Sequence, residues 1–171
     1  MFNDFLIIDN IFENPNKIVK FSKEIDYYHS SSTNKPEGNW VGLRSNRLYE
    51  IDQKFFNETF NEIFTKCFSH FQVNEFSYRV NSYFHILPSE FSFNESWIHT
   101  DKNYFLAGVI YLNATPPKES GTILILNDEI CAVENKFNRL VLYNSNIKHA
   151  PQNSFDSRLT LTFFIEELRI R

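Results

Sequence analysis

The chain is poor in the residues that build unusual architectures. Its two cysteines, Cys67 and Cys131, are too few for a disulfide framework and read as free thiols in a reducing compartment. Four glycines and six prolines among 171 residues exclude a collagen-like or low-complexity chain. Positive charge is also lacking. Lys and Arg total 17 against 21 Asp and Glu, a net charge of -4, which leaves no basic field to hold a polyanion and disfavours nucleic acid as a partner. The apolar runs, such as "FLII" and "LTFFI", fall far short of the ~20 residues that cross a bilayer, so no membrane partner is expected. No basic-plus-apolar segment with a small-residue cleavage site opens the sequence, so no secretory leader is expected either. Abundant Asn, Ile, Lys and Phe are what an AT-rich genome encodes. The expected location is the cytoplasm, that of a host if the source is viral.

What the chain does have is aromatic bulk. Nineteen Phe and eight Tyr supply a core for one domain spanning 1–171. "FLIIDNIF" (5–12) reads as a strand. Asn14 then caps a helix with Pro15 at its first position and Ile18, Phe21 and Ile25 on one face. Residues 29–46 read as a long loop, either a lid or a connector. From Asp52, Phe55, Phe56, Thr59, Phe60, Ile63, Phe64, Cys67, Phe68 and Phe71 fall on one stripe of a second helix, an aromatic pattern that signals core. Beyond Phe76 the period changes to two. "FSYRVNSYFHIL", "YFLAGVIYLN", "GTILIL", "RLVLY" and "RLTLTFFI" alternate with turn signals, which predicts a mainly β jelly roll over 76–168 with two supporting N-terminal helices over 1–75.

One stretch, "WIHTDKNYF" (97–105), carries candidate chemistry. If it is a strand, His99 and Asp101 point to the same face. His149, after "RLVLY", supplies a third donor. Two imidazoles and one carboxylate are the donor set of non-haem Fe(II) oxygenases, although a His-x-Asp pair alone is as easily structural. Arg158 begins the apolar strand "RLTLTFF", with Thr160 on its face and Leu159, Leu161 and Phe163 on the other. An inward Arg needs an anion, and a guanidinium fits a carboxylate in two-pronged fashion. The alternative is a surface salt bridge to Asp156 or Glu166.

His99-x-Asp101, His149 and Arg158 nine residues later resemble the 2-oxoglutarate- and Fe(II)-dependent oxygenases, nearest to the prolyl-hydroxylase-like branch. "GVIYLN", "GTILIL", "NRLVLYNSNIKHAPQ" and "SRLTLTFFI" follow in similar order. The resemblance implies a double-stranded β-helix, the distorted jelly roll, with Fe(II) on His99, Asp101 and His149. It implies 2-oxoglutarate with its far carboxylate on Arg158, aided by Thr160, Tyr111 and, less directly, Tyr83. Dioxygen would be the second co-substrate and ascorbate a supporting reductant. The implied reaction is decarboxylation to succinate coupled to hydroxylation of a C–H bond, with a prolyl carbon, protein-bound or free, as one candidate. Asp101, where a halogenase has Gly or Ala, favours hydroxylation. The family's Gly-containing turn before His-x-Asp is replaced by "LPSEFSFNES", which leaves Tyr83 unaligned.

His85 shares a face with Tyr83 and reads as a packed or hydrogen-bonded histidine. His70 reads as a helix C-terminal partner of the dipole. Trp40, Arg44 and Arg47 suit stacking and anionic or peptide recognition, and Lys102, Asn103 and Tyr104 follow Asp101 at the expected mouth. A protein, a peptide or a small molecule would serve as substrate. The competing reading is a non-catalytic jelly-roll binding or structural module.

Overall fold

In the computed structural model of the chain, residues 4–29, 40–69 and 76–170 are described. Seven strands form one antiparallel sheet. They are β1 (Phe5–Asp9), β2 (Tyr27–His29), β3 (Leu43–Ser45), β4 (Phe76–Leu87), β5 (Leu106–Tyr111), β8 (Arg139–Asn144) and β10 (Arg158–Ile170). Their spatial order is β1-β8-β5-β10-β4-β3-β2. A smaller sheet has the order β7-β6-β9, from β6 (Thr122–Leu126), β7 (Glu129–Val133) and β9 (Lys148–Pro151). Two antiparallel sheets connected in this order make the jelly roll, as the alternating pattern after Phe76 predicts.

Helices cover one face of the large sheet. In α1 (Pro15–Ser22), Asn14 Oδ1 accepts from the Lys17 amide. In α3 (Gln53–Phe68), Asp52 Oδ1 accepts from the Phe55 amide. Both caps satisfy N–H groups that the first turn leaves orphaned, as the sequence predicts. A third helix, α2 (Leu48–Ile51), is a single turn that the sequence did not reveal. The α3 stripe is buried from Phe55 to Phe68. Phe60 meets Phe163 edge-on, with ring centroids 5.4 Å apart. Phe163 sits opposite Gly108 in the sheet, and a Cβ on that glycine would lie 2.2 Å from the Phe163 ring. Gly108 therefore leaves the space that the ring fills. Among the described residues, no helix is long and apolar enough to cross a membrane.

The segment read as one long loop is in part a strand. β3 pairs with both β2 and β4, and Gly42 turns into it with φ of 82°, a conformation that favours glycine. Residues 30–39 and His70 lie outside the described residues. The "NSNIKHAPQN" stretch, read as a turn, contains β9, which pairs with β6. Cys67 and Cys131 are free thiols.

Candidate metal and anion site

His99 is not in a continuous strand with Asp101. It forms an isolated bridge with His149, in which each backbone N–H donates to the other's carbonyl, at 3.1 and 2.9 Å. Directly opposed residues of an antiparallel pair project to the same side, and the two imidazole centroids lie 4.4 Å apart. Past His99 the chain leaves the bridge. The Asp101 amide donates to the Ser145 carbonyl at 2.8 Å, and a turn brings the Tyr104 amide to the Asp101 carbonyl. Asp101 thus reaches the histidines through a turn rather than through strand alternation.

One donor atom from each of His99, Asp101 and His149 lies within 4.8 Å of the others, so the three could hold a metal ion. Their tautomers suit this. His99 Nδ1 lies 2.7 Å from the Trp97 carbonyl and His149 Nδ1 2.9 Å from the Ile147 carbonyl. A carbonyl only accepts, so each Nδ1 carries the proton and each Nε2 presents a lone pair. Burial, then the neighbouring His149, lowers the His99 pKa and favours that neutral form. Asp101 Oδ2 is buried without a hydrogen bond, yet it lies 3.2 Å from His149 Nε2. A metal ion held by both would satisfy these two acceptors. The donor set therefore fits a divalent transition metal.

The triad lines a cavity of about 300 Å³ whose walls include Trp97, Val109, Phe164 and Thr162. Arg158 also lines it, at 6 % exposure. Arg158 Nη1 donates to the carbonyls of Ser120, at 2.9 Å, and of Gly121. Its Nε has no hydrogen bond, and Arg158 makes no ion pair with a described residue. Glu166, one of the acids that could have paired with it, is held instead by Arg79 at 2.6 Å and by Asn81. Burial lowers the Arg158 pKa, while Tyr111 and Tyr143 oppose that effect.

The remaining candidates fall in different places. The Tyr111 ring lies 6.0 Å from the Arg158 guanidinium, and its hydroxyl donates to Thr122 Oγ1 at 2.7 Å. Thr122, not Tyr111, lines the cavity. The Thr160 hydroxyl turns to the His85 carbonyl at 3.4 Å and to Thr162, which lines the cavity in its place. Tyr83 is buried outside the lining, accepting from Arg47 Nε at 3.2 Å. Trp40 and Arg44 do line the cavity. Lys102 and Asn103 are exposed and lie outside it. His85 is hydrogen-bonded, with Nε2 2.5 Å from the Val41 carbonyl. Tyr143 was missed by the sequence reading. It lines the cavity at 2 % exposure, its ring 4.7 Å from that of His149. The available signal was its place at the inward parity of β8, six residues before His149.

No protein-family model and no curated protein matches the sequence. Solved structures do match in shape. HygX from Streptomyces hygroscopicus, solved with nickel, 2-oxoglutarate and hygromycin B bound, has a TM-score of 0.70 at 12% identity over 94% of this chain and 81% of that one. A Pseudomonas putida prolyl-4-hydroxylase has a TM-score of 0.59 at 15% identity, covering 95% and 91%. A Trichoplax adhaerens prolyl hydroxylase, solved with a hypoxia-inducible-factor peptide, has 0.60 at 11% identity, covering 95% and 83%. The fold is that of the 2-oxoglutarate- and Fe(II)-dependent oxygenases. At these identities the likeness is one of fold, and the chemistry rests on the side chains themselves.

Proposed function

We propose that the protein is a dioxygenase that couples oxidative decarboxylation of 2-oxoglutarate to hydroxylation of a C–H bond. One observation carries this reading: a single cavity is lined both by a His-Asp-His triad and by a buried guanidinium without a carboxylate partner among the described residues. A buried charge of this kind is costly unless an anion meets it. In this reading His99 and His149, through Nε2, and Asp101, through its carboxylate, hold Fe(II). The bound ion supplies open positions for 2-oxoglutarate and dioxygen and the redox chemistry that joins them. Arg158 receives the far carboxylate of 2-oxoglutarate. Its Nη1 is already anchored on two carbonyls, so the fork is oriented before the diacid arrives, and little ordering entropy remains to be lost. Tyr111 sets its ring against the guanidinium and its hydroxyl orients that of Thr122. The apolar walls at Val109, Trp97 and Phe164 exclude water from the reacting groups.

The test is succinate formation from 2-oxoglutarate with Fe(II), oxygen and ascorbate, together with metal affinity by calorimetry. Asp101→Ala is expected to weaken metal binding by at least ~100-fold, beyond the effect of losing an outer-shell partner, and to abolish succinate formation. Arg158→Ala is expected to leave metal binding intact and to lose the thermal shift given by 2-oxoglutarate. Wild-type protein that binds neither metal nor 2-oxoglutarate would instead support the non-catalytic module.

A further inference from the structure

The cavity contains a phenol that no described residue answers. Tyr143, on β8, is buried and lines the cavity, and among the described residues none hydrogen-bonds its hydroxyl. The triad does not take it up, since Asp101 Oδ2 has no hydrogen bond. A buried tyrosine hydroxyl normally has a partner. Two other buried tyrosines of this sheet follow that rule: Tyr111 donates to Thr122 Oγ1, and Tyr83 accepts from Arg47 Nε. Tyr143 stands opposite Ala107 on β5, and Ala107 stands opposite Phe164 on β10. Opposed residues of antiparallel strands share a face, so only a methyl group separates these two cavity-lining rings. The Tyr143 ring packs on the His149 imidazole, with centroids 4.7 Å apart. On β10, Phe164 and Arg158 are separated by about 20 Å of strand at the usual rise per residue. Tyr143 therefore belongs to the triad end of the cavity and not to the Arg158 end.

Resting on the oxygenase reading above, we infer that Tyr143 is a binding residue for 2-oxoglutarate, its hydroxyl donating to the carboxylate at the metal-chelating end. Arg158 and Tyr143 then hold opposite ends of the diacid. A carboxylate oxygen bound to an ion still has a lone pair to offer. A phenol answers it without adding charge, whereas a second cation beside the metal would be repelled by it. The resemblance gives the co-substrate to Tyr111, but the Tyr111 hydroxyl is engaged by Thr122. The donor role falls instead to the phenol that lies against a metal-binding histidine.

The test uses the full chain loaded with Ni(II), titrated in a calorimeter with 2-oxoglutarate and, separately, with oxalate. Oxalate can chelate the ion as 2-oxoglutarate does but has no far carboxylate for Arg158. Tyr143→Phe deletes the hydroxyl and keeps the ring on His149. It breaks no hydrogen bond to a described residue, so its urea midpoint is expected to match wild type. We expect the variant to bind Ni(II) as wild type does and to bind both 2-oxoglutarate and oxalate roughly 10- to 100-fold more weakly, the range of a hydrogen bond to a charged group. A purely structural role for the hydroxyl would not separate the two ligands from the metal in this way. Unchanged affinity for both ligands overturns the inference, as does a loss confined to 2-oxoglutarate, which would put the hydroxyl at the far carboxylate. An equal loss of Ni(II) affinity also overturns it, because the hydroxyl would then act through the metal-binding side chains. So does wild type that binds 2-oxoglutarate but not oxalate. All four outcomes leave the oxygenase reading in place. Failure of wild type to bind Ni(II) or 2-oxoglutarate overturns that reading, and the inference with it.

Discussion

The two faces of the large sheet are made by the same strands and obey opposite rules. On β10, Leu161, Phe163 and Ile165 turn toward α3 and are fully buried, while Arg158, Thr162 and Phe164 turn toward the cavity. The helix side is closed by ring-on-ring packing: Phe60 with Phe163, Phe56 and Phe64, and Phe64 with Tyr78. The cavity side keeps polar atoms buried and unanswered, at Asp101 Oδ2, Arg158 Nε and Trp40 Nε1. A packed face gains from every contact it makes, whereas a face with orphaned charges gives up stability unless ligands arrive. The helix side thus supplies the stability that the cavity side gives up.

The sharpest way to break that comparison is to empty the packed side. Phe163→Ala removes a fully buried ring that rests on Gly108 and meets Phe60 edge-on. It is expected to destabilise the protein by about 3–5 kcal/mol, read from the urea midpoint. No titratable group takes part, so the loss should be the same at pH 5 and pH 8.

A smaller effect sharpens the contrast from the cavity side. Burial first, and then the Arg44 charge, pushes the His85 pKa down to about 3, while the Val41 carbonyl opposes the shift. In the unfolded chain His85 takes up a proton near its usual value of about 6.5. Below that pH the unfolded state binds a proton that the folded state refuses until about 3. Stability is therefore full above about 6.5 and is lost as pH falls toward 3, by at most ~1.4 kcal/mol per pH unit. His85→Gln can still donate to Val41, and its urea midpoint should be flatter than wild type between pH 6.5 and 4.5. Equal slopes for the two proteins would show that His85 is not held neutral by its surroundings.

This division explains what was legible in the sequence. A closed face is periodic. The α3 stripe, the caps Asn14 and Asp52, and the alternation of "RLTLTFFI" each declare themselves within a dozen residues, because local spacing determines which side chains share a face. The cavity is not periodic. His99 meets His149 across a bridge of two residues separated by 50 positions, and Asp101 arrives by a turn, so strand alternation proposed the pair by an argument the chain does not follow. β3 and β9 were read as loop because three- and four-residue strands owe their geometry to distant partners, β4 and β6. Tyr143, Trp97 and Thr162 were invisible as lining residues for the same reason. Which strand end faces the cavity depends on register between strands, and one chain's spacing does not contain it. Lys102 and Asn103 show the converse: adjacency to Asp101 in sequence did not bring them into the cavity.

The smallest expected effect compares two arginines on the same sheet. Arg139 on β8 is answered: its Nε and Nη2 reach the two oxygens of Asp9 at 2.6 and 3.2 Å, and Lys136 adds a third contact at 2.6 Å. Arg139, then Lys136, holds the Asp9 pKa down at about 2 against the opposing effect of burial. Asp9 is partly exposed, so this pair ties edge strand β1 to β8 weakly, by about 0.2–1 kcal/mol. Because the folded pKa is depressed, that contribution is present above the unfolded value near 3.9 and is lost as pH falls toward 2. Asp9→Asn should lower the urea midpoint slightly at pH 7 and remove this part of the acid sensitivity. Arg158 has no such partner among the described residues, and Arg158→Met exchanges a buried charge for an apolar side chain of similar length. The loss of its bonds to the Ser120 and Gly121 carbonyls opposes the gain from removing the charge. The ligand-free midpoint should therefore stay within about 1 kcal/mol of wild type, while the shift given by 2-oxoglutarate disappears. A large fall in ligand-free stability would mean that Arg158 is a structural tie, stronger than Arg139, and the contrast between an answered and an unanswered guanidinium would be lost.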